Sequence, residues 1–446
     1  MRLLIVGINY APEETGIAPY TAGLAEHLAT LGHEVVALTG LPSYPAWHVY
    51  DGYRRRLWKR ECINGVDVRR RWHYVPPRQS ALRRGLYEAS FLFTGLSALS
   101  LPRPDAVLGV VPSLSSGCVA RLAAHRFRVP YGLIFQDLMG QAAGQSGVRG
   151  GSRVARLVRA AERWSTSRAG HIGIIAEGFR TYIESLGVSP DRITRLRNWT
   201  HVPPPLLDRV AVRRHLDIPD DAIVCLHAGN MGHKQHLENV LECARLAMDA
   251  APRLLFVLMG DGNRRDDLEH LARGGGLPNV RFLPLQPKHL FPDVLAAADV
   301  LLVNQRGSVK DMSLPGKLTA YFISGRPVVA AVSRESETAR EISAAGAGII
   351  VKPDSPPALL AAIASLAADQ TRSHALGQAG ARFAERELVP AEVLRQYEAF
   401  LEIVAGPDVW DASASARVAP FHAHEYAESL VARQAEQPAT RRRRAG

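Results

Sequence analysis

The chain has 446 residues, 47% of them hydrophobic and 22% charged. Because one hydrophobic core stops growing at ~250 to 300 residues, this length predicts two domains, and the composition excludes a disordered, collagen-like or disulfide-stapled protein. Of the net charge of +11, residues 1–197 hold 26 Lys and Arg against 14 Asp and Glu, whereas the remainder holds 28 against 29. The basic N-terminal half favours a phosphate-bearing partner, either nucleic acid or an anionic membrane.

The cysteines and the first residues indicate the compartment. The four cysteines form no CxxC pair and have no histidines at zinc spacing, so we interpret them as reduced core residues of a protein in a reducing compartment. The opening MRLLIVGIN is a short apolar run without a small-residue cleavage site. It predicts a strand and no signal peptide, which favours a cytoplasmic protein.

Short β-branched runs alternate with helix-length amphipathic segments in the first half of the chain. Helices are predicted near 18–31, 83–100 and 152–168, and strands at 2–9, 34–40, 66–70, 105–111, 131–137 and 171–176. Apolar strands that alternate with helices predict parallel βαβ units buried on both faces. The first half is therefore predicted to be a doubly wound α/β domain.

The same pattern restarts after a proline-rich stretch. The second set of strands is predicted at 222–230, 253–262, 280–283, 299–305, 326–332 and 347–351. We therefore divide the chain into an N-terminal domain (1–197), a linker (198–221), a C-terminal domain (222–385), a closing helix (386–405) and a disordered tail (406–446). Ligands of such sheets bind outside the carboxyl ends of the strands, so the strand-exit loops of both domains should face one cleft.

The first of these loops is INYAPEETG. Gly16 near the helix entrance would let backbone amides approach an anion. The loop lacks a GxGxxG pattern, so a dinucleotide site is poorly supported, and an ordinary turn is the alternative interpretation.

Several motifs carry a family resemblance. Residues 1–39, and then LHAGNMGHKQ, LFVLMGDG, LPGKL, GRPVV and REISAAGAG in that order, resemble the retaining family 4 glycosyltransferases of the GT-B fold, in which two Rossmann-like parallel-sheet domains face a cleft. Within that family the chain is most similar to the branch that builds exopolysaccharide and colanic-acid-type repeat units on a lipid carrier. The resemblance implies retaining transfer from an NDP-sugar to a glycan or polyprenyl-diphosphate-linked acceptor, with no cofactor and no metal. The metal-binding DxD of other glycosyltransferases is absent.

Without a metal, the protein must supply cations and backbone amides to the departing diphosphate. In the GNMGHKQ loop the resemblance assigns this role to Gly229, Asn230, Gly232 and Lys234. Asn230 occupies the place where the family usually has an arginine. Lys234 is predicted to neutralise phosphate charge and to act in catalysis; a solvated surface lysine is the alternative.

The LPGKL segment is the second predicted phosphate loop. Pro315 can take the first helical position and leave the following amides free for the diphosphate, beside Lys317 and Leu318. A lysine in a first helical turn is unfavourable for the helix dipole, so an anionic ligand explains Lys317 better than a surface position. Lys317 is therefore predicted to be catalytic.

Two glutamates that many family members carry in this loop are replaced here by Met312 and Ala320. Asp311 is adjacent to the first position and is predicted to contact the sugar hydroxyls, whereas nothing nearby replaces the second, which usually holds the ribose. Glu341 occupies the place of another family glutamate and is predicted to bind the donor, an exposed helix position being the alternative.

In the N-terminal domain, Asp137 ends the strand YGLIFQD. Family members often have His or Asp there, in contact with the transferred sugar, and a carboxylate could also deprotonate the acceptor hydroxyl. We predict Asp137 to be catalytic; a structural role as a helix cap is the alternative.

Residues 82–101 are apolar but shorter and more broken than a membrane span of ~20 residues. They fit either a buried helix or an interfacial one, and the arginines and tryptophans of 54–60 and 69–78 favour the interface. We therefore predict a peripheral protein at the inner face of the plasma membrane and, without any nucleic-acid-binding motif, no nucleic-acid partner. A nucleotide-sugar 2-epimerase and a non-catalytic GT-B partner subunit remain alternatives.

Overall fold

The computed structural model describes residues 1–77, 80–138, 151–308, 316–407 and 409–410, without the side chains of residues 81 and 151–154. It contains two sheets, of eight and six strands. Each sheet is covered by helices on both faces, which confirms the predicted pair of doubly wound α/β domains.

The N-terminal sheet has the order β3-β4-β2-β1-β5-β6-β7-β8. Its strands are β1 (Arg2–Val6), β2 (Glu34–Gly40), β3 (Trp58–Ile63), β4 (Val66–Arg71), β5 (Ala106–Val111), β6 (Tyr131–Phe135), β7 (His171–Ile174) and β8 (Ile193–Arg195). All neighbours are parallel except β3, which pairs antiparallel with β4 at the edge. The sequence analysis predicted neither β3 nor β8, because β8 has only three residues and β3 is rich in charge.

The helices of this domain are α1 (Ala18–Thr30), α2 (Ala81–Gly95), α3 (Leu114–Phe127), α4 (Gly151–Thr166) and α5 (Phe179–Ser185). Apolar residues on the two faces of the central strands explain the layers. In β1, Leu4 and Val6 belong to the core cluster that includes α3, whereas Leu3 and Ile5 belong to the cluster that includes α1.

The C-terminal sheet has the order β11-β10-β9-β12-β13-β14, and every pair is parallel. Its strands are β9 (Ile223–Ala228), β10 (Leu254–Met259), β11 (Val280–Leu283), β12 (Val300–Asn304), β13 (Val328–Ala331) and β14 (Gly348–Val351). The helices are α6 (Arg209–His215), α7 (Glu238–Ala250), α8 (Arg265–Gly274), α9 (Phe291–Ala297), α10 (Lys317–Ile323), α11 (Glu337–Ala345), α12 (Pro356–Ala368) and α13 (Gln370–Glu387).

The two domains are joined twice. The segment predicted as the linker contains α6, whose Val212 is buried in the core of the C-terminal domain. The predicted closing helix is α14 (Pro390–Ala405), which returns to the N-terminal domain. There His27 Nε2 lies 2.7 Å from Glu398 Oε1, and a Cβ atom on Gly132 would come within 2.7 Å of Val404. Along the described ranges, no helix is both long and apolar enough to cross a bilayer.

Candidate active site

A buried carboxylate joins the loops that follow β1 and β2. Glu13 Oε1 accepts hydrogen bonds from the backbone N–H groups of Ser43 (2.7 Å) and Tyr44 (2.9 Å). Gly16, a predicted donor contact, lies in the same β1–α1 loop with a φ of +71°, and a Cβ atom there would come within 2.9 Å of the Tyr44 ring. Both features favour glycine, so loop packing already accounts for this residue. Its contact with a donor stays a prediction.

Asp137 lies just beyond the carboxyl end of β6. Burial raises the pKa of its carboxyl to about 7, and the positive charges of Lys234 and Arg84 oppose that rise. Lys234 belongs to the C-terminal domain and Arg84 to α2, so the carboxyl lies in the field of a cation from each domain. Asp137 in turn contributes to the raised pKa of the Tyr44 phenol, whose main cause is burial. The structure therefore brings the predicted residues Asp137 and Lys234 into one site across the cleft.

Lys317 begins α10 and lies beside the carboxyl end of β9. Its Nζ atom is 3.5 Å from Nε2 of His227, and a Cβ atom on Gly229 would lie 3.6 Å from the same Nζ. Burial lowers the pKa of this ammonium to about 7. In the part of the chain that the structure describes, no carboxylate pairs with Lys317. A desolvated cation without a counter-charge is suited to receive an anion.

His227 is fully buried at the end of β9. Burial, and then the charge of Lys317, hold its pKa well below the ordinary value. Its Nε2 atom also lies 3.3 Å from the carbonyl oxygen of Asn230. A neutral imidazole that donates from Nε2 to this carbonyl has no lone pair on that nitrogen for Lys317, so in this tautomer His227 does not compete with an anion for the lysine protons.

The loops after β9 and β10 cross at glycines. Gly229, Gly260 and Gly262 all have positive φ values, of 124°, 140° and 153°. A Cβ atom on Gly260 would be 2.0 Å from the carbonyl oxygen of Gly229, and one on Gly262 would be 2.5 Å from Oδ1 of Asn230. No other residue type fits these positions. The glycines of GNMG and GDG thus let two strand-exit loops meet beside Lys317.

The rest of the β9–α7 loop is held by hydrogen bonds of its backbone. The Gly232 N–H donates to Oε1 of Gln235 (3.1 Å), and the carbonyl of Lys234 accepts from the Arg306 N–H (2.9 Å). Asn304, buried at the end of β12, donates from Nδ2 to the carbonyl of Gln235 (2.7 Å). The side chain of Lys234 is exposed. The backbone of the loop is therefore fixed, whereas the ammonium group of Lys234 is solvated in the free protein.

Two predicted donor contacts are engaged within the protein. The carboxylate of Glu341, in α11, lies 2.9 and 2.8 Å from Nη1 of Arg197 and also pairs with Arg195, so the exposed-helix interpretation of this residue is wrong. Leu318 is 2% exposed and belongs to the core of the C-terminal domain, so only its backbone is available to a ligand. The donor contacts of both residues stay predictions.

The two domains touch at the edge of the site. Tyr20 of α1 packs edge-on against Trp199 of the same core, with 5.2 Å between ring centroids. Its hydroxyl oxygen faces the C-terminal domain, where a Cβ atom on Gly316 would lie 3.9 Å away. Lys288 Nζ, in the loop before α9, lies 2.8 Å from Oε1 of Glu14. The loop that carries Gly16 is thus in contact with the C-terminal domain.

Some of the predicted site falls outside the described residues, namely Asp311 and Pro315. Conversely, the sequence analysis missed four residues of the site, which are Tyr20, Arg84, His227 and Asn304. His227 and Asn304 could have been found, since each is a polar residue near the end of an apolar strand. Tyr20 and Arg84 lie inside helices and carry no such signal. Among the described side chains, no group of three or more His, Cys, Asp or Glu is arranged to hold a metal ion.

Comparison with known proteins matches both domains. Residues 15–199 match the glycosyl transferase 4-like domain, and residues 208–383 match the glycosyl transferases group 1 family. The chain is 34% identical over 410 residues, or 89% of its length and 98% of the relative, to the putative colanic acid biosynthesis glycosyl transferase WcaI of Escherichia coli K12.

Solved structures agree in fold. The sucrose-phosphate synthase of Thermosynechococcus elongatus aligns with a TM-score of 0.71 at 16% identity, over 90% of this chain and 98% of that one. HepE of Anabaena, in complex with UDP-glucose, aligns with a TM-score of 0.65 at 15% identity, over 90% and 99%. The family resemblance and the predicted GT-B fold are therefore confirmed, and the chain belongs to the family 4 glycosyltransferases of the GT-B fold.

Proposed function

We propose that this glycosyltransferase moves a sugar, with retention and without a metal, from an NDP-sugar to a hydroxyl of a glycan or polyprenyl-diphosphate-linked acceptor in cell-surface polysaccharide biosynthesis. The observation that carries the proposal is Lys317, a desolvated lysine without a carboxylate partner in the described structure, beside the open backbone of Gly229. Two names support it, since one relative is named a putative colanic acid biosynthesis glycosyl transferase and one neighbour in fold was solved with UDP-glucose.

The donor diphosphate would lie between the β9–α7 loop and the start of α10. Lys317 would face it from the inner side and Lys234 from the solvent side, with the N–H group of Asn230 between them, since the N–H groups of Gly229 and Met231 are already donated to Met259 and Asp261. Binding the dianionic group would restore full protonation of Lys317, because an adjacent negative charge favours the ammonium form. Preorganised cations of this kind stabilise the charge that develops on a departing diphosphate.

In the transfer step the bond between the anomeric carbon and the diphosphate oxygen breaks, and its electron pair leaves with the diphosphate. The acceptor oxygen attacks from the same face, and its proton passes either to the departing phosphate oxygen or to the Asp137 carboxylate. With a pKa of about 7, Asp137 is ionised above neutral pH and can accept that proton or orient the hydroxyl.

An acceptor carried on a polyprenyl diphosphate is anchored in a bilayer. We therefore propose that the protein works at the inner face of the plasma membrane, with the basic N-terminal half against anionic lipid. The surplus of 26 Lys and Arg over 14 Asp and Glu in residues 1–197 supports this arrangement.

A donor screen tests the proposal. Thermal shift with UDP-, GDP- and TDP-sugars identifies a ligand, and transfer to a lipid-linked acceptor from cells is then followed with and without EDTA. We expect a product whose new bond keeps the donor's anomeric configuration, formed at an unchanged rate in EDTA. Net epimer formation without acceptor would instead identify a 2-epimerase. Donor binding without transfer to any acceptor would identify a non-catalytic partner subunit.

A further inference from the structure

Helix α2 carries an apolar stripe that the protein does not cover. Leu82 and Phe93 are each 77% exposed, Leu86 is 50% exposed, and Leu96, just after the helix, is 36% exposed. With the exposed Ala89 they follow one another at spacings of three and four residues, which places them on a single face of the helix. Isolated exposed leucines are common, but a continuous stripe of this kind marks a binding surface.

The opposite face of α2 explains why the helix has a fixed orientation. Tyr87 and Phe91 are buried, and Glu88 accepts hydrogen bonds from the hydroxyls of Ser113 (2.8 Å) and Ser115 (2.7 Å) at the start of α3. These contacts leave the stripe pointing away from the protein.

A second apolar group extends the stripe. Thr94 of α2 donates its hydroxyl to the carbonyl of Trp72 (2.8 Å), and the Trp72 N–H donates to the carbonyl of Leu57 (2.9 Å). Trp72 is 40% exposed, Leu57 73% and Trp58 67%. Tryptophans at the rim of an apolar surface are typical of proteins that sit at the headgroup level of a bilayer.

Positive charge surrounds this surface. Residues 54–71 contain eight Lys and Arg and only two Asp and Glu. Arg60 and Arg69 share Asp67, and Lys59 and the buried Arg70 share Glu61, so each of these carboxylates faces two cations. In the antiparallel pair of β3 and β4, Trp58 lies opposite Arg71 and Arg60 opposite Arg69, and Arg71 bonds to Ser97 just beyond α2, so these side chains share the α2 side of the sheet. Exposed Arg55 and Arg56 pair with no carboxylate of the described structure. A protein partner would have to be strongly acidic to match this rim, whereas an anionic bilayer offers both acyl chains and phosphates.

We propose that α2 and the β3–β4 edge form a membrane-docking surface, with the stripe Leu82, Leu86, Phe93 and Leu96 among the acyl chains and Arg55 and Arg56 among anionic headgroups. Fifteen helical residues are too short to span a bilayer, so the helix lies in the interface. The proposed function enters this inference at one point: it gives docking a purpose, which is to bring the cleft to a lipid-linked acceptor. Arg84, on the inner face of the same helix, lies in the field of Asp137, so docking places the acceptor's entry beside the site.

Vesicle sedimentation of the full-length protein tests the surface. The probes are phosphatidylethanolamine vesicles containing phosphatidylglycerol and vesicles of phosphatidylcholine alone. The test variant combines Leu82→Gln, Leu86→Gln and Phe93→Gln. The matched control combines Leu206→Gln, Leu271→Gln and Ile403→Gln, three exposed apolar residues away from this surface. A second variant combines Arg55→Gln and Arg56→Gln.

We expect the wild type and the matched control to sediment with the anionic vesicles at low salt and to remain soluble with the neutral ones. The stripe variant should lose at least about tenfold in partition coefficient, from the apolar area it no longer inserts. The arginine variant should lose about fivefold per arginine. Sedimentation of the stripe variant equal to that of the wild type, or no sedimentation of the wild type, would overturn the proposal. So would a wild-type dimer that only the stripe variant dissociates, since the face would then bind a second copy. A wild type that binds vesicles but transfers no sugar would instead refute the proposed function and leave the docking surface standing.

Discussion

The two edges of the cleft have charges opposite to those of the domains that carry them. The N-terminal half holds the whole basic surplus of the chain, yet its strand-exit loops contain the carboxyl groups of Asp137 and of the buried Glu13. The near-neutral C-terminal half presents Lys234 and Lys317. The contrast teaches that net charge reports on the outer surface, here the arginines near α2, whereas the chemistry of the cleft depends on a few side chains at strand ends.

The largest effect should come from Lys317, the half-buried cation. Replacing Lys317 by Ala removes a preorganised charge from the leaving diphosphate, so we expect kcat to fall by on the order of 10² to 10³. Lys352→Ala, at an exposed lysine of the same domain, is the matched control and should leave kcat unchanged. If kcat of Lys317→Ala stays within a few-fold of the wild type, the C-terminal edge of the cleft does not supply the positive charge that stabilises the leaving diphosphate.

On the facing edge, Asp137→Asn should lower kcat/KM by about 10² at pH 8. Because burial places the pKa of Asp137 at about 7, the carboxyl is ionised at pH 8 and mostly neutral at pH 6, where asparagine resembles it. The pH profiles of the two proteins should therefore converge as the pH falls below 7. A loss of the same size at pH 6 and pH 8 would assign Asp137 a purely structural role.

Although Asp137→Asn should lower activity, it should raise the stability of the protein. Folding raises the pKa of the Asp137 carboxyl from 3.8 to about 7, so the folded protein loses stability as the pH rises between these two values. The whole loss is present above pH 7. Asp137→Asn should thus raise the melting temperature more at pH 8 than at pH 5. Differential scanning calorimetry at both values measures this, and an equal shift would show that Asp137 is not desolvated.

A smaller effect is expected for the exposed cation. Lys234 is solvated in the free protein, so its attraction to a diphosphate is screened by water. We expect Lys234→Ala to reduce kcat/KM by about tenfold, with a salt dependence that Lys317→Ala does not show. Equal losses for the two lysines would mean that cleft closure buries Lys234 as deeply as Lys317.

The alternation of strands and helices made both sheets predictable, and the strand-exit loops located Asp137, Lys234 and Lys317. Other features could not be predicted, because they depend on contacts between distant segments. The pairing of Glu341 with Arg195 and Arg197 joins residues about 145 positions apart. The outward direction of the α2 stripe likewise depends on the hydrogen bonds from Ser113 and Ser115 to Glu88, which fix the opposite face of the helix against the protein.

Glu341 is the carboxylate on the donor side and gives the smallest expected effect on rate. Glu341→Gln should remove the negative charge that Arg195 and Arg197 share and lower the free energy of unfolding by about 2 kcal/mol, because the pair is largely buried. Urea unfolding measures the loss. If donor KM rises more than tenfold while stability is unchanged, Glu341 touches the donor and the arginines are incidental.

Proton uptake on nucleotide binding tests the central claim most directly. Lys317, with a pKa of about 7, is mostly neutral at pH 8 and mostly charged at pH 6, and a bound diphosphate favours the charged form. Titration calorimetry with UDP or GDP, in buffers of different ionisation enthalpy, should show uptake of up to about one proton at pH 8 and much less at pH 6. Lys317→Ala should lose most of the uptake at pH 8 while Lys352→Ala keeps it. Binding without proton uptake at pH 8, or the same uptake in Lys317→Ala, would contradict the assignment of the diphosphate to Lys317.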